Sequence, residues 1–171
     1  MNQISVVVQT RNILDGIHEL QKKMKMKIPL LQKVLFVGTG ALEKTLSLLI
    51  DSETEVRILK QRDLVNVIFR SASIVQKKNS EVLVNARSKI YPPFLPYHIV
   101  RRIRNKQESI GDILHSERLE TFRNIHTLGY DPHNRSFFKI YYIIFKGNIA
   151  FRIKEIFLAS LKERVSFDPL V

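Results

Sequence analysis

Alternating apolar and polar positions near the end of the chain predict a β-hairpin over residues 136–158. Aromatic and β-branched residues fill two runs around the turn Lys146-Gly147-Asn148, and this composition favours strands over helix. Side chains of a strand alternate between its two faces, so the odd-numbered residues from Ile149 to Phe157 share one face. That face is apolar except for Glu155. A carboxylate facing inward is costly without a cation or hydrogen-bond donors, so Glu155 is either half of a structural ion pair, exposed at a strand end, or functional.

Three more strands are predicted in the middle of the chain by the same alternation. They are Thr54–Gln61, Leu64–Gln76 and Glu81–Ile90, of which the last two form an antiparallel hairpin. In the second of these strands Arg70 lies with Asn66 on an otherwise apolar face, which makes it the cationic counterpart of Glu155. Arg87 falls on the polar side of the third strand, and it would point inward only if the strand were bulged or twisted there.

Helical spacing and turn signals predict the remaining elements. The predicted helices cover Asn12–Met26, Ala41–Ile50 after a glycine turn, a short segment beginning at Ile110, and Leu119–Leu128 ending at Gly129. Three prolines make residues 91–96 a loop. Helices and hairpins alternate along the chain, which predicts an α+β fold with an antiparallel sheet and flanking helices. The length of 171 residues suits a single domain over residues 1–171, in which residues 1–30 form an N-terminal helical extension.

The charge of the chain favours an anionic partner without identifying it. Lys and Arg number 28 against 16 Asp and Glu, so the formal net charge is +12. Such a charge suits nucleic acid, a membrane surface or a small polyanion, and it also suits a solvated Lys-rich surface. Two basic clusters stand out, Lys22–Lys27 and Arg101–Lys106. Runs of this kind are usually solvated, so nucleic acid is not the expected partner.

Several chemistries are excluded by missing residues and motifs. The chain has no cysteine, which excludes disulfides, thiolate metal sites and Cys nucleophiles. Its five histidines lack the spacing of a zinc site, and no hydrolase or nucleotide-binding motif appears, so we expect no metal and no cofactor. No secretory signal is visible and the apolar runs are too short for a membrane helix, so we expect a soluble, intracellular protein.

Four segments follow one another in a recognisable order: the strand that holds Arg70, NARSKI with the proline loop after it, SIGDIL, and KGNIAFRIKEIFL. Their order resembles that of the chorismate lyase (chorismate–pyruvate lyase) family, in particular the short members encoded in cyanobacteria and algal plastids. The family shows an Arg in a strand, A-R-[ST] before a Pro-containing loop, P-[IL]-G-x-x-L, and G-x-P…E-x-F-L. The segment VGTGALEKTLSLL is also similar to the family's early segment. The resemblance spans roughly residues 35–158.

The resemblance implies an activity and a set of site residues. Enzymes of this family convert chorismate to 4-hydroxybenzoate and pyruvate without a cofactor, which supplies quinone biosynthesis, and they bury the ligand in an internal pocket under helical flaps. The family's carboxylate-binding arginine falls on Arg70, or on Asn66 in a shifted alignment, and the arginine of A-R-[ST] falls on Arg87. The glutamate that hydrogen-bonds the ring hydroxyl falls on Glu155. Together Arg70 and Glu155 would be catalytic, and Arg70 and Arg87 would bind the two carboxylates of the substrate.

Further implications concern the pocket wall and the setting of the protein. The apolar pocket positions of the family fall on Ile110 and Leu42. Membership implies a monomer in the plastid stroma of an alga, or in the cytoplasm otherwise. Ser109 replaces the family's proline, Glu43-Lys44 replaces Thr-Arg, and the proline after the turn glycine is missing. Lys139-Ile140-Tyr141 stands where the family is rich in arginine.

Two alternatives of a different class remain open from the sequence. One is a non-catalytic domain of the same fold that binds a small aromatic acid, as in the effector domains of some transcription regulators. The other is a nucleic-acid-binding protein that uses the two basic clusters.

Overall fold

Residues 5–161 are described by the computed structural model, and they form one seven-stranded antiparallel sheet with five α-helices. The strands are β1 (Val6–Gln9), β2 (Thr54–Asp63), β3 (Ile68–Gln76), β4 (Val82–Ile90), β5 (Phe122–Asp131), β6 (Ser136–Phe145) and β7 (Asn148–Phe157). Their order across the sheet is β1-β5-β6-β7-β4-β3-β2, and every neighbouring pair is antiparallel. The predicted α+β class with an antiparallel sheet is confirmed.

The helices connect the strands and take their positions from short local signals. They are α1 (Ile13–Met24), α2 (Leu30–Val37), α3 (Leu42–Leu49), α4 (Tyr97–Asn105) and α5 (Ile110–Ser116), with a short 3-10 helix at Pro92–Phe94. Asn12 caps α1 because its side chain accepts a hydrogen bond from the Leu14 amide at 2.9 Å. None of these helices is long and apolar enough to cross a membrane.

All the helices pack their buried sides on one face of the sheet, in two groups. The first apolar cluster joins α1, α2 and α3 to the inward residues Ile74, Val84, Phe137 and Phe157. The second joins α4 and α5 to inward residues farther along the same strands; these are Ile68, Ile90, Tyr141, Ile143, Phe151 and Ile153. The sheet between the two clusters carries polar inward residues, and the opposite face has no helix of the described chain against it.

The closing hairpin forms as its pattern predicts. Strands β6 and β7 pair with each other, and Phe151, Ile153, Glu155 and Phe157 are all buried on the inward face of β7. The turn between them has positive φ at Lys146 (48°) and Gly147 (79°). Two successive positive φ angles define the hairpin turn whose twist matches that of the flanking strands, and glycine takes such a conformation without strain.

The predicted helix over Leu119–Leu128 is wrong, because this segment forms β5. Its apolar residues have the three-residue spacing of a helix, but a β-bulge produces that spacing. The register with β6 shifts between Ile125 and Thr127, so His126 is an extra residue in the ladder. The extra residue keeps Ile125 and Leu128 on the same face although they are three positions apart. Bulges of this kind imitate helical periodicity in a sequence.

Residues 1–30 were predicted as a helical extension, but a strand, β1, also lies within them. The predicted helix forms as α1, and its Ile17 and Leu20 are buried in the first cluster. Before it, β1 pairs with β5 and completes one edge of the sheet. Neither this strand nor α2 was predicted, because the strand has only four residues and α2 lies in an apolar run with few polar residues to show a period.

Gly129 on β5 lies against the ring of Phe138 on β6, which leaves no room for a side chain at position 129. A methyl group on Gly129 would overlap the ring of Phe138, the paired residue on β6. We expect Gly129→Ala to lower the free energy of unfolding by about 1–3 kcal/mol, since overpacking forces the ring off its rotamer. Urea unfolding measures this, with Gly40→Ala as the control because no atom lies within 4 Å of a methyl group at Gly40. Equal losses in the two variants would contradict the assigned clash.

Candidate ligand-binding site

A cavity of about 640 Å³ lies on the inward face of the sheet, between the two apolar clusters. Its floor consists of inward residues of several strands, and the small side chains of Ala72 and Ala86 leave room at its centre. The volume lies in the range of small-molecule sites, which are mostly apolar with a few polar groups. Here the polar groups include two that are nearly inaccessible to solvent, Arg70 and Glu155, at 3% and 6% exposure.

Two segments cover this cavity. One is residues 39–44, the glycine turn with the start of α3, and the other is residues 109–115, the start of α5. Ser109 caps α5, since its hydroxyl oxygen accepts from the Asp112 amide at 3.0 Å. Glu43 and Asp112 belong to the two opposing segments, and the pKa of Glu43 is raised by burial and by the negative charge of Asp112. The like charges oppose a tighter approach of the two covers.

Arg70 reaches the cavity from β3 and is held by neutral acceptors. Its Nε donates to Gln61 at 2.8 Å, and its two terminal nitrogens donate to the carbonyl oxygens of Glu108 (3.0 Å) and Ile103. Ile103 lies in the last turn of α4, where the helix end attracts a cation. Burial lowers the pKa of Arg70 to about 10, so it is still charged at neutral pH. Three of the five N–H groups of a guanidinium are used, and no carboxylate of the described chain neutralises the charge.

Glu155 lies in a buried polar cluster with Tyr141 and Lys139. The Tyr141 hydroxyl donates to one carboxylate oxygen at 2.7 Å. The other oxygen, Oε2, has no hydrogen-bond partner in the described chain, although Lys139 Nζ lies 3.4 Å away. Burial raises the pKa of Tyr141 well above its usual value, and the neighbouring Glu155 raises it further. Oε2 is therefore paired in charge with Lys139 and still has the capacity to accept a hydrogen bond.

Lys139 supports this cluster from behind. Its ammonium group donates to the carbonyl oxygens of Leu35 (2.8 Å) and Gly38 (2.6 Å), at the end of α2. It is not among the residues that line the cavity. Burial lowers the pKa of Lys139, and the nearby Glu155 opposes that shift. The lysine ties α2 to the sheet and supplies the positive charge that a buried carboxylate requires.

The register of the sheet fixes the separation of Arg70 and Glu155. Arg70 pairs with Ser88 on β4, while the next inward residue of β4, Ala86, pairs with Glu155 on β7. The side chains of Arg70 and Glu155 therefore lie on the same face of the sheet. They are separated by two strand spacings across the sheet and by two residue positions along it. Strands lie about 4.8 Å apart, so β3 and β7 are separated by roughly 10 Å. A small aromatic acid spans such a gap with its carboxylate at one end.

The structure separates the predicted site residues into two sets. Leu42 and Ile110 line the cavity, as do Arg70 and Glu155. Leu42 lies on one covering segment and Ile110 on the other. Arg87 does not line the cavity: its side chain is exposed on the opposite face of β4 from Ala86 and Ser88. The bulge that would turn Arg87 inward is absent, since the register shift of β3 with β4 falls at Ile74/Val75 instead. The predicted contact of Arg87 with a substrate in this cavity is therefore wrong.

Asn66, the alternative to Arg70, is exposed in the turn between β2 and β3. It does not line the cavity, which agrees with the choice of Arg70 on parity.

Arg123 is a cavity-lining cation that the sequence did not reveal. It extends from β5, and one terminal nitrogen donates to the carbonyl oxygens of Thr39 and Gly40 (2.6 Å) in a covering segment. The mistaken helix over residues 119–128 hid it. A strand reading with one bulge would have placed Arg123 and Ile125 on the inward face, so the signal was present but ambiguous.

Ion pairs engage part of each of the two basic clusters in the sequence, two arginines of Arg101–Lys106 and one lysine of Lys22–Lys27. Arg102 pairs with Glu108 and with Glu117 (2.5 Å), and Arg104 pairs with Asp63 at 2.7 Å. Lys23 pairs with Glu19 at 2.9 Å. Within residues 5–161 no group of three His, Asp or Glu residues is arranged to hold a metal ion.

No family model matches this chain, and no curated protein matches it in sequence.

Proposed function

We propose that this protein is a chorismate lyase-like enzyme that converts chorismate to 4-hydroxybenzoate and pyruvate, supplying quinone biosynthesis. The observation that supports the proposal most is the joint position of Arg70 and Glu155. They come from strands far apart in the sequence, both are buried, and both line one cavity from the same face of the sheet. The order of segments that resembles the family points to the same two residues.

The cavity offers a distinct group to each end of the ligand. A ring carboxylate meets the free N–H groups of Arg70, which lack a carboxylate partner in the described chain. Charge-assisted bonds of this kind contribute about 1.5–3 kcal/mol each. The ring hydroxyl meets Glu155 Oε2, which has no hydrogen-bond partner. The apolar ring lies between Leu42 and Ile110 on the covering segments. The side-chain carboxylate of chorismate is assigned to Arg123 in place of Arg87.

The main task of the protein in this reaction is to position the substrate. The ether bond at ring carbon 3 breaks, and its electron pair leaves with the enolpyruvate oxygen. The hydrogen on carbon 4 leaves as a proton, and the electron pair of that C–H bond completes the aromatic ring. Enolpyruvate takes up one proton on its methylene carbon to become pyruvate, so no net proton is released. Glu155 holds the carbon 4 hydroxyl and Arg70 holds the carboxylate, so the substrate is kept in the reactive conformation. Tyr141 and Lys139 keep the Glu155 carboxylate in place.

An assay of chorismate turnover tests the proposal directly. We expect the purified chain to release 4-hydroxybenzoate, detected by its absorbance after separation, in step with pyruvate. We expect Glu155→Gln to lower kcat/KM by about 10²-fold or more, because it removes the charged acceptor of the ring hydroxyl. Arg87→Gln is the matched control, and it should keep the wild-type rate since Arg87 is outside the cavity. Full activity in Glu155→Gln would refute the role of Glu155.

A non-catalytic site for a small aromatic acid is the second candidate, and one observation favours it. One terminal nitrogen of Arg123 already donates to the backbone of a covering segment, so binding of a second carboxylate there would compete with that contact. 4-Hydroxybenzoate has one carboxylate, whereas chorismate has two. Saturable binding of 4-hydroxybenzoate without turnover of chorismate would select this candidate. Turnover would reject it.

A further inference from the structure

The outward face of the sheet carries a concentrated patch of positive charge. The residues that form it come from three strands in two adjacent cross-strand rows: Lys60, Arg62, Arg87, Lys89, Arg152 and Lys154. We call this set the outer basic face. No run in the sequence reveals it, because on each strand an inward residue separates the two cations.

These six cations lack acidic partners. None of them belongs to an ion pair within residues 5–161. Two acidic residues lie at the margin, and their hydrogen bonds and ion pairs are with other groups, Glu55 with Arg57 and Asp131 with its own turn. Burial lowers the pKa of Lys154, the positive charges of Arg87 and Arg152 lower it further, and the negative charge of Asp131 partly opposes this. Like charges held this close are costly until an anion covers them.

Aromatic rings lie among these cations. Phe69 lies between Arg62 and Lys89 in one row, and Lys89 Nζ is 5.5 Å from its ring centroid. Tyr142 follows Arg152 in the same row and has the His126 ring at 5.2 Å. Lys154 belongs to the other row, and its Nζ lies 4.0 Å from the ring centroid of Phe138. Cations and aromatic rings side by side on an open sheet suit phosphates and stacked bases together.

We propose that the outer basic face binds single-stranded nucleic acid through its phosphates, with Phe69 and Tyr142 as stacking surfaces. A second copy of the chain is not the occupant, because two such faces would repel each other. The proposal is independent of the lyase function, since the cavity lies on the opposite face of the sheet. It gives the net charge of +12 a function that the cation runs along the chain do not show.

Fluorescence anisotropy of a labelled oligouridine of roughly 20 nucleotides, titrated with the full chain, tests this proposal. Six neutralised phosphates predict a slope of log affinity against log salt of about −4, at about −0.7 per phosphate on a single strand. Between about 50 and 200 mM salt the affinity should therefore fall about 250-fold. No detectable binding at about 50 mM salt would overturn the proposal.

The face variant replaces Arg87, Lys89, Arg152 and Lys154 with Gln, and its matched control replaces Lys22, Lys23, Lys25 and Lys27 with Gln. Both variants lose four positive charges. We expect the slope to fall to about −1.4 in the face variant and to stay near −4 in the control. Equal losses in the two would overturn the proposal, because net charge rather than this face would then govern binding.

Four further measurements complete the test. The pair Lys60→Gln with Arg62→Gln lies on exposed edge-strand positions, so it serves if the face variant does not fold, and its slope should fall to about −2.8. The pair Phe69→Leu with Tyr142→Leu should weaken binding at least about 5-fold with no change in slope. Preferred binding to phosphatidylserine vesicles, not competed by the oligonucleotide, would overturn the proposal in favour of a membrane surface. Arg70→Met should leave oligonucleotide binding unchanged whatever its effect on the lyase assay.

Discussion

Replacing Arg70 with methionine is expected to weaken 4-hydroxybenzoate binding by about 10²- to 10⁴-fold. The ligand would lose two charge-assisted hydrogen bonds in a buried site, where each contributes about 1.5–3 kcal/mol. Methionine fills similar volume, so the cavity floor stays packed. Isothermal titration of the variant with 4-hydroxybenzoate gives the affinity directly. Arg70→Lys should recover little of the loss, because an ammonium group cannot reproduce the bidentate fork.

Arg70 also binds the backbone near the end of α4, so the test needs a control for a loosened loop. Arg102→Met provides it. Arg102 contacts the side chain of Glu108, whose carbonyl oxygen accepts from Arg70, yet it does not line the cavity. We expect this control to bind 4-hydroxybenzoate normally. If both variants lost affinity equally, the loop rather than the Arg70 guanidinium would account for binding.

Replacing Lys139 with methionine is expected to lower the free energy of unfolding by about 3–5 kcal/mol. The substitution leaves Glu155 as a buried carboxylate without its cation, and breaking a buried pair in this way carries that cost. It also removes the donor to the carbonyl oxygens of Leu35 and Gly38 at the end of α2. Urea unfolding followed by circular dichroism measures the loss. Lys154→Met, the same change on the outward face, should cost less than about 1 kcal/mol.

A double variant separates the charge from the packing. Lys139→Met with Glu155→Gln removes both charges and keeps an acceptor for the Tyr141 hydroxyl. We expect it to be more stable than Lys139→Met alone, since no unpaired charge then remains. Strictly additive losses would show that the two groups do not interact, and the role of Lys139 in holding Glu155 would be rejected.

The hairpins of this sheet were predictable because period-two patterns and turn residues agree along them. In β7 and β3 the alternation placed Glu155 and Arg70 inward, and the structure has both there. The alternation of side chains between the two faces of a strand is a local property, so it can be predicted without knowledge of the fold. It says which face a residue takes, and for Arg87 it correctly indicated the outward side. The resemblance overrode that indication and gave the wrong contact.

The residues that the sequence did not reveal depend on contacts between distant segments. In the sequence Lys139 looks like any other lysine of a basic chain. It is buried because α2, more than 100 positions earlier in the sequence, packs against it. Tyr141 is one of several aromatic residues on β6 until its hydroxyl is seen to meet Glu155. The cavity itself arises because two apolar clusters stop short of each other, and no local pattern encodes that gap.

The bulge at His126 affects how any future relative of this protein should be aligned. A substitution in β5 changes which side chain occupies a position, but it cannot change which face that position takes. Loss of one residue there would turn Arg123 and Ile125 outward while Leu128 stays inward. A relative that aligns through residues 122–131 without a gap therefore keeps position 123 in the cavity. One with a deletion there loses that side chain from the cavity even if the arginine itself is retained.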